Sequence, residues 1–453
     1  MLRYLEKLCV VSILGLIAVV FMREFFDLNF LNIIETIFLI FVIVTCIILA
    51  KGPAFYLSLL GLLTGHLLLY KYDMGFDIWL DGMTKNIPLA ILFVMVPVLS
   101  IPLKQGGYLK VFNYYISKYR NRSSGLFLVL TGLVFSLGSL TNLGSIRITH
   151  DLVKEAKFPT KFLAKVYAVG FAASIAWSPY FGSVNLILHY TGVSFSRYVI
   201  FGLIYSFCIL LAGNLLFYTD LTSKNEVRMR SKLNQKVRDD NKKIKQLVLN
   251  LVGLLATVII GEKIFDFSNM MLLVGVIAVF YAALWAILIK KFTFFLQELK
   301  GYDKKILQVK NEIVFFISVG FFGVVLANTP LQNFIEKFFQ SISGFSTFFL
   351  VEIIIIITAL LSSIGIHQVI TITALGLSLQ PGVLGLSDLS FALTLLASWI
   401  VAMIVSPFAP FNIIAGGLLK ESPFHIGFKW NRLFGILVVI FSGIYIIFVN
   451  SFI

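Results

Sequence analysis

Two short segments hold residues suited to gripping a small charged solute. The first passes through Ser178, Pro179, Gly182 and Asn185; the second passes through Ser406, Pro407, Pro410 and Asn412. Each interrupts a long apolar stretch. Proline removes a backbone donor and obstructs the carbonyl one turn earlier, so a helix breaks there. In lipid the freed backbone groups must be buried in protein or line a wet cavity. The N-terminus after such a break presents amides and a positive dipole end, which suit an anion. Unwound carbonyls and helix C-termini can instead coordinate Na⁺, with no carboxylate required. On this reading Ser178, Gly182, Ser406 and Pro407 hold a cation through oxygens.

The solute ligands expected are Ser139, Thr141, Asn142, Asn185, Ser363, His367 and Asn412. Five of them lie in or near two other interruptions, Ser136–Ser145 and Ser362–Gln368. Small and amide-bearing residues there suit hairpin tips at membrane depth. His367 could donate to an oxyanion or titrate near neutral pH, against the plainer reading of a packing hydrogen bond. Arg147 could attract an anion; the plainer expectation pairs it with Asp151, one helical turn on. For Ser178, Asn185, Ser406 and Asn412 the rival reading is a kinked helix with small residues at a packing interface. Trp177 reads as packing or lipid contact rather than as a ligand. His66, His189 and His425 suggest no role.

The elements that must position these residues are transmembrane helices. The 453-residue chain is 59% hydrophobic and 13% charged, and its mean hydropathy is +0.95, which gives many runs long enough to span a bilayer. Short alternating strands of a β-barrel are missing. The formal net charge of +15 falls in particular loops, which reports orientation in a membrane and not nucleic-acid binding. The three cysteines lie in expected spans, against a disulfide framework or a cysteine metal site. No HExxH, no paired-carboxylate loop and no sizeable extramembrane domain points to an enzyme. No resident metal or cofactor is expected, Na⁺ being a possible coupling ion.

The chain reads as an all-α integral membrane protein with about eleven transmembrane helices and two re-entrant hairpins. An extra N-terminal helix, 1–29, is read as retained and not as a cleaved signal. A first repeat, 30–218, contains a hairpin at 124–156 and a broken helix at 163–190. A basic linker, 219–246, separates it from a second repeat, 247–453, with a hairpin at 345–379 and a broken helix at 390–419. Five crossings in each half invert one repeat relative to the other. With the N-terminus cytoplasmic and the C-terminus outside, every strongly basic loop falls inside. The linker is a solvated tether, or it touches anionic lipid.

With its hairpins and its Ser-Pro to Asn segments, the sequence resembles the ion transporter superfamily, especially the divalent anion/sodium symporter branch. The tip residues Ser139, Thr141 and Asn142, and Ser363 and His367, are loosely similar to that family's Ser-Asn-Thr tips. The resemblance implies a homodimeric elevator-type transporter in the cell membrane, with amphipathic arms at 108–119 and 331–339. The expected function is secondary active transport of a small anionic solute, a carboxylate or other oxyanion, by symport with Na⁺ or H⁺. The alternative is a flippase or accessory membrane subunit handling a lipid-linked or envelope-polymer substrate. Expected partners are the solute, the coupling ion and membrane lipids.

Overall fold

The computed structural model describes residues 2–26, 28–119, 122–220, 241–265, 267 and 269–453. Most of the expected basic linker therefore lies outside the described residues. Among the described residues eleven helices are long and apolar enough to cross a membrane, which makes this a multi-pass membrane protein. They are not quite the set read from the sequence. Ser123–Thr141, expected as a hairpin arm, reaches spanning length. Thr160–Ile175, expected as part of a crossing, stops short at its break.

The helices gather into two compact units that do not follow chain order. One comprises Met1–Pro102, Ile260–Ile335 and Thr373–Ser378; the other comprises Leu103–Ile259, Glu336–Ile372 and Leu379–Ile453.

The first unit is built around helix Lys310–Ala327, which packs against Asn29–Leu49, Pro53–Lys71, Phe76–Thr84 and Ile87–Met95. Such a hub needs small neighbours. Phe321 is fully buried where Gly65 and Gly82 bare the two facing helices, and a Cβ on Gly65 would stand 2.5 Å from its ring. Asn86 donates to the Phe316 carbonyl at 3.1 Å and ties the turn before Ile87 to the hub. The run expected as one span near 87–103 is interrupted by a 3₁₀ turn, Val96–Leu99, at Pro97. Helices Leu2–Phe25 and Asn29–Leu49 pair side by side, joined by a salt bridge from Arg23 to the buried Glu35.

The second unit holds both tips and both broken helices, and the helix after the second tip leaves it at Ile372. Helix Ser123–Thr141 turns at Asn142 into Gly144–Val153, and helix Thr347–Ser363 turns at Gly365 before Gln368–Ser378. Both turns use a positive φ, +51° at Asn142 and +102° at Gly365. Glycine accepts such values freely, and asparagine does so better than most residues. The broken helices are Thr160–Ile175 with Gly182–Thr191, and Asp388–Val405 with Pro410–Leu419. Each second half ends on a left-handed residue, Gly192 or Lys420. Each first half packs on the arm preceding its own tip: Thr160–Ile175 on Ser123–Thr141, and Asp388–Val405 on Thr347–Ser363. The two broken helices also meet each other, with Phe171 stacked on Phe411 at 5.5 Å between ring centres. The amphipathic helix Tyr108–Tyr119 has the expected bounds, whereas the other continues from Leu331 to Phe345.

Candidate functional site

Pro179 and Pro407 end their helices as the sequence demands, and a serine repairs each break. The Ser178 hydroxyl donates to the main-chain carbonyl of Ser139 at 2.7 Å and accepts from the Tyr180 amide at 3.2 Å. The Ser406 hydroxyl donates to the Ser362 carbonyl at 2.7 Å and accepts from the Phe408 amide at 3.2 Å. Both serines are fully buried. Ser139 lies three residues before Asn142, and Ser362 lies three before Gly365, so the two tips present the same register to their breaks.

The asparagines close the loops from the other side. Asn185 donates its amide to the carbonyls of Pro179 and Phe181, the latter at 3.1 Å. Asn412 donates to Met403 at 3.0 Å, Ile404 at 3.2 Å and Ser406 at 2.8 Å. Pro407 and the turned Phe408 amide deprive the Met403 and Ile404 carbonyls of helical donors, while the Phe181 and Ser406 carbonyls also accept the backbone amides of Asn185 and Ala409, at 3.3 and 3.2 Å. Asn185 and Asn412 thus hold the unwound backbone with their nitrogens. Gly182 opens the second half of the first broken helix and is buried; Pro407 is half-buried within the second break.

At the tips, Ser139 and Thr141 donate their hydroxyls within their own helix, to Ser136 at 2.9 Å and Leu137 at 2.8 Å. The Asn142 side chain accepts from the Leu143 amide at 2.7 Å and shapes the turn. Ser363 donates to its own helix at Ala359, 2.7 Å away. Its neighbour Ser362 is the residue that meets the break, and its hydroxyl donates to Gln368 at 3.3 Å. Sequence reasoning chose Ser363 and missed Ser362. The register relative to the positive-φ residue would have found it. His367 accepts from the Val369 amide at 3.2 Å at the start of the following helix. Asp151 pairs with Lys154 at 3.3 Å and not with Arg147, whose side chain is exposed.

The polar atoms left over differ between the breaks. At the first, the Trp177 indole nitrogen and the Ser183 hydroxyl are buried without a hydrogen-bond partner among the described residues. Trp177, expected only to pack, lines a cavity of about 10 Å³ with Ser139, Ser178, Tyr180 and Leu251. At the second break the leftover atom is an acceptor, the side-chain oxygen of Asn412. The side-chain oxygen of Asn431 is a second one. Asn431 follows a π-helical turn, His425–Trp430, whose Gly427 lies against Asn412. An indole N–H can only donate, and an amide oxygen can only accept. The first break therefore offers an obligate donor beside a hydroxyl that can donate or accept, and the second offers obligate acceptors. Among the described residues no group of three or more acidic, histidine or cysteine side chains is placed to hold a metal.

The fold has counterparts among solved structures. This chain is similar to the Alcanivorax borkumensis YdaH transporter, reported to have an unusual topology, with a TM-score of 0.56 and 15% identity over 88% of this chain and 99% of that one. It is also similar to Neisseria gonorrhoeae MtrF, reported to illuminate a class of antimetabolite efflux pumps, with a TM-score of 0.52 and 14% identity over 87% and 95%. The fold is shared with two membrane transport proteins. No family model and no curated protein matches the chain. At such identities the likeness is one of fold, and it extends over nearly the whole chain.

Proposed function

We propose that this protein is a secondary active transporter that carries a small anionic solute by symport with a cation. The observation that carries the reading is the difference between the breaks. Trp177 leaves a donor at the first, beside the Ser183 hydroxyl that can also donate, and Asn412 leaves an acceptor at the second. Buried polar atoms without partners are costly, and a ligand that satisfies them recovers that cost. An oxyanion fits the donors, aided by the N-terminus of Gly182–Thr191. Na⁺ fits the acceptor together with unwound carbonyls; H⁺ is the second choice of coupling ion.

In this reading the two helix–turn–helix segments are re-entrant hairpins in inverted repeats. The unit that carries both breaks travels with the solute, elevator fashion, in a homodimer with its N-terminus in the cytoplasm. The likeness in fold to two transport proteins supports a transport role over an enzymatic one.

Thermal unfolding of the detergent-purified protein, across small carboxylates and other oxyanions with either Na⁺ or choline, tests the proposal. A ligand at about 100 times its dissociation constant stabilises by about 2.7 kcal/mol. An anion shift that requires Na⁺ is the expected result. A shift of equal size in choline would replace Na⁺ by H⁺. No shift with any soluble anion would overturn the anion reading.

A further inference from the structure

The segment between helices Met270–Leu288 and Lys310–Ala327 joins two spans, so it is confined to one membrane surface. It forms a strap of two short helices, Phe292–Lys300 and Tyr302–Gln308. The strap is pinned from beneath: Phe295 and Ile306 are 2% and 3% exposed, and the Tyr302 hydroxyl donates to the Val94 carbonyl at 2.6 Å. Its outer side is apolar and basic together. Phe292 and Leu296, one helical turn apart, are 38% and 44% exposed, and Phe294 is 47% exposed. Lys290, Lys291, Lys300 and Lys304 are exposed and without an ion-pair partner among the described residues, whereas Lys305 lies 3.6 Å from Glu298.

Other cations of the same unit gather at this end. Lys51 and Asn311 exchange backbone-to-side-chain hydrogen bonds of 3.3 and 3.2 Å, which bring the exposed Lys51 to the start of Lys310–Ala327. Helix Leu2–Phe25 packs on Tyr302–Gln308, and its far end meets Phe267 through Phe25 at 6.0 Å. Its start, with exposed Arg3 and Lys7, therefore lies at the strap's end. The loop and short helix after Pro53–Lys71 instead carry Asp73, Asp77 and Asp81.

We propose that the strap is a docking surface for the headgroups of anionic phospholipid. The lysines take the phosphates, while Phe292, Phe294 and Leu296 enter the acyl boundary. A soluble polyanion would engage the lysines and leave the phenylalanines in water. An amphipathic basic helix lying in the interface satisfies both.

The test uses the full-length protein in maltoside micelles doped with phosphatidylglycerol or with phosphatidylcholine at equal mole fraction, read by thermal unfolding. Phosphatidylglycerol is expected to raise the midpoint above that in phosphatidylcholine. The quadruple variant K290Q/K291Q/K300Q/K304Q is expected to keep its phosphatidylcholine midpoint and lose the increment, while the matching Lys→Arg variant keeps it. If the Gln variant is damaged in both lipids, the wild type decides: its increment must collapse by about 0.5 M NaCl, as screening requires. Equal increments in wild type and Gln variant, a salt-independent increment, or an equal shift from free glycerol phosphate would each overturn the proposal.

Discussion

Ser178 holds Ser139 through its hydroxyl, 2.7 Å from the main-chain oxygen, across the gap between a broken helix and the tip beside it. Ser406 holds Ser362 in the same way and at the same distance. The Ser139 carbonyl near the end of its tip's first arm has lost its helical donor, the Ser362 carbonyl keeps only a tight-turn bond from the Gly365 amide at 3.1 Å, and each break has a hydroxyl to supply. One contact thus answers two deficits, and it fastens tip and break into a single hydrogen-bonded piece.

Replacing Ser178 by alanine removes the donor and leaves the Ser139 carbonyl bare, whereas replacing Ser406 leaves the Ser362 carbonyl the Gly365 amide at 3.1 Å. S178A should lower stability by about 1–3 kcal/mol and S406A by about 0.5–1.5 kcal/mol. The two contacts share no partner, so the double variant should lose close to the sum. Chemical unfolding of the purified protein measures this, and unchanged midpoints in both single variants would exclude the role.

Asn412 makes a sharper test because of charge. Its nitrogen faces three carbonyl oxygens. Alanine deletes the donor, whereas aspartate puts a carboxylate against those oxygens. N412D should therefore destabilise more than N412A, although it is closer in shape, and both should abolish solute uptake in proteoliposomes. The reverse order of stability would mean that the amide is oriented the other way.

Trp177 separates binding from folding. Replacing Trp177 by 3-benzothienylalanine keeps the fused ring and exchanges for sulfur the N–H that has no protein partner among the described residues. Stability should change by less than about 0.5 kcal/mol, because no hydrogen bond within the protein is broken. Solute affinity should fall about 5- to 30-fold, the worth of one donor to a charged group at roughly 1–2 kcal/mol. Unaltered affinity would take the anion site away from the first break.

Two glycines should respond with opposite signs. A Cβ at Gly427 would stand 2.7 Å from the Val405 carbonyl and 2.8 Å from the Asn412 nitrogen. G427A should cost about 1–3 kcal/mol by overpacking. At Gly132, within helix Ser123–Thr141, a Cβ meets nothing within 4 Å. G132A should stabilise by about 0.5–1 kcal/mol, the usual helical preference for alanine. Paired unfolding curves in one detergent read both.

Where the chain breaks was legible because proline and glycine act locally. Pro179 and Pro407 mark their breaks, and Asn142 and Gly365 sit within the tips that small residues had marked. What each break holds was less legible. Ser363 was chosen over Ser362 because residue type alone does not say which of two adjacent serines faces a partner far along the chain. Trp177 looked like packing, and it does pack; only the fold reveals that its N–H lacks a partner among the described residues. The π-helical turn at His425–Trp430 had no sequence signal, since it arises where Gly427 must fit against Val405 and Asn412.

The matched serine contacts also bear on direction. If the tips are gates, lifting either one forfeits a single hydroxyl bond, and the two bonds have equal length and equal chemistry. Neither gate is then the easier to open on that account. Solute flux through proteoliposomes of uniform insertion, measured under equal gradients of opposite sign, should consequently proceed at similar rates both ways, and strong rectification would contradict this. The molecule would be a reversible carrier by construction, its heading set by the ions on either side and not by the protein.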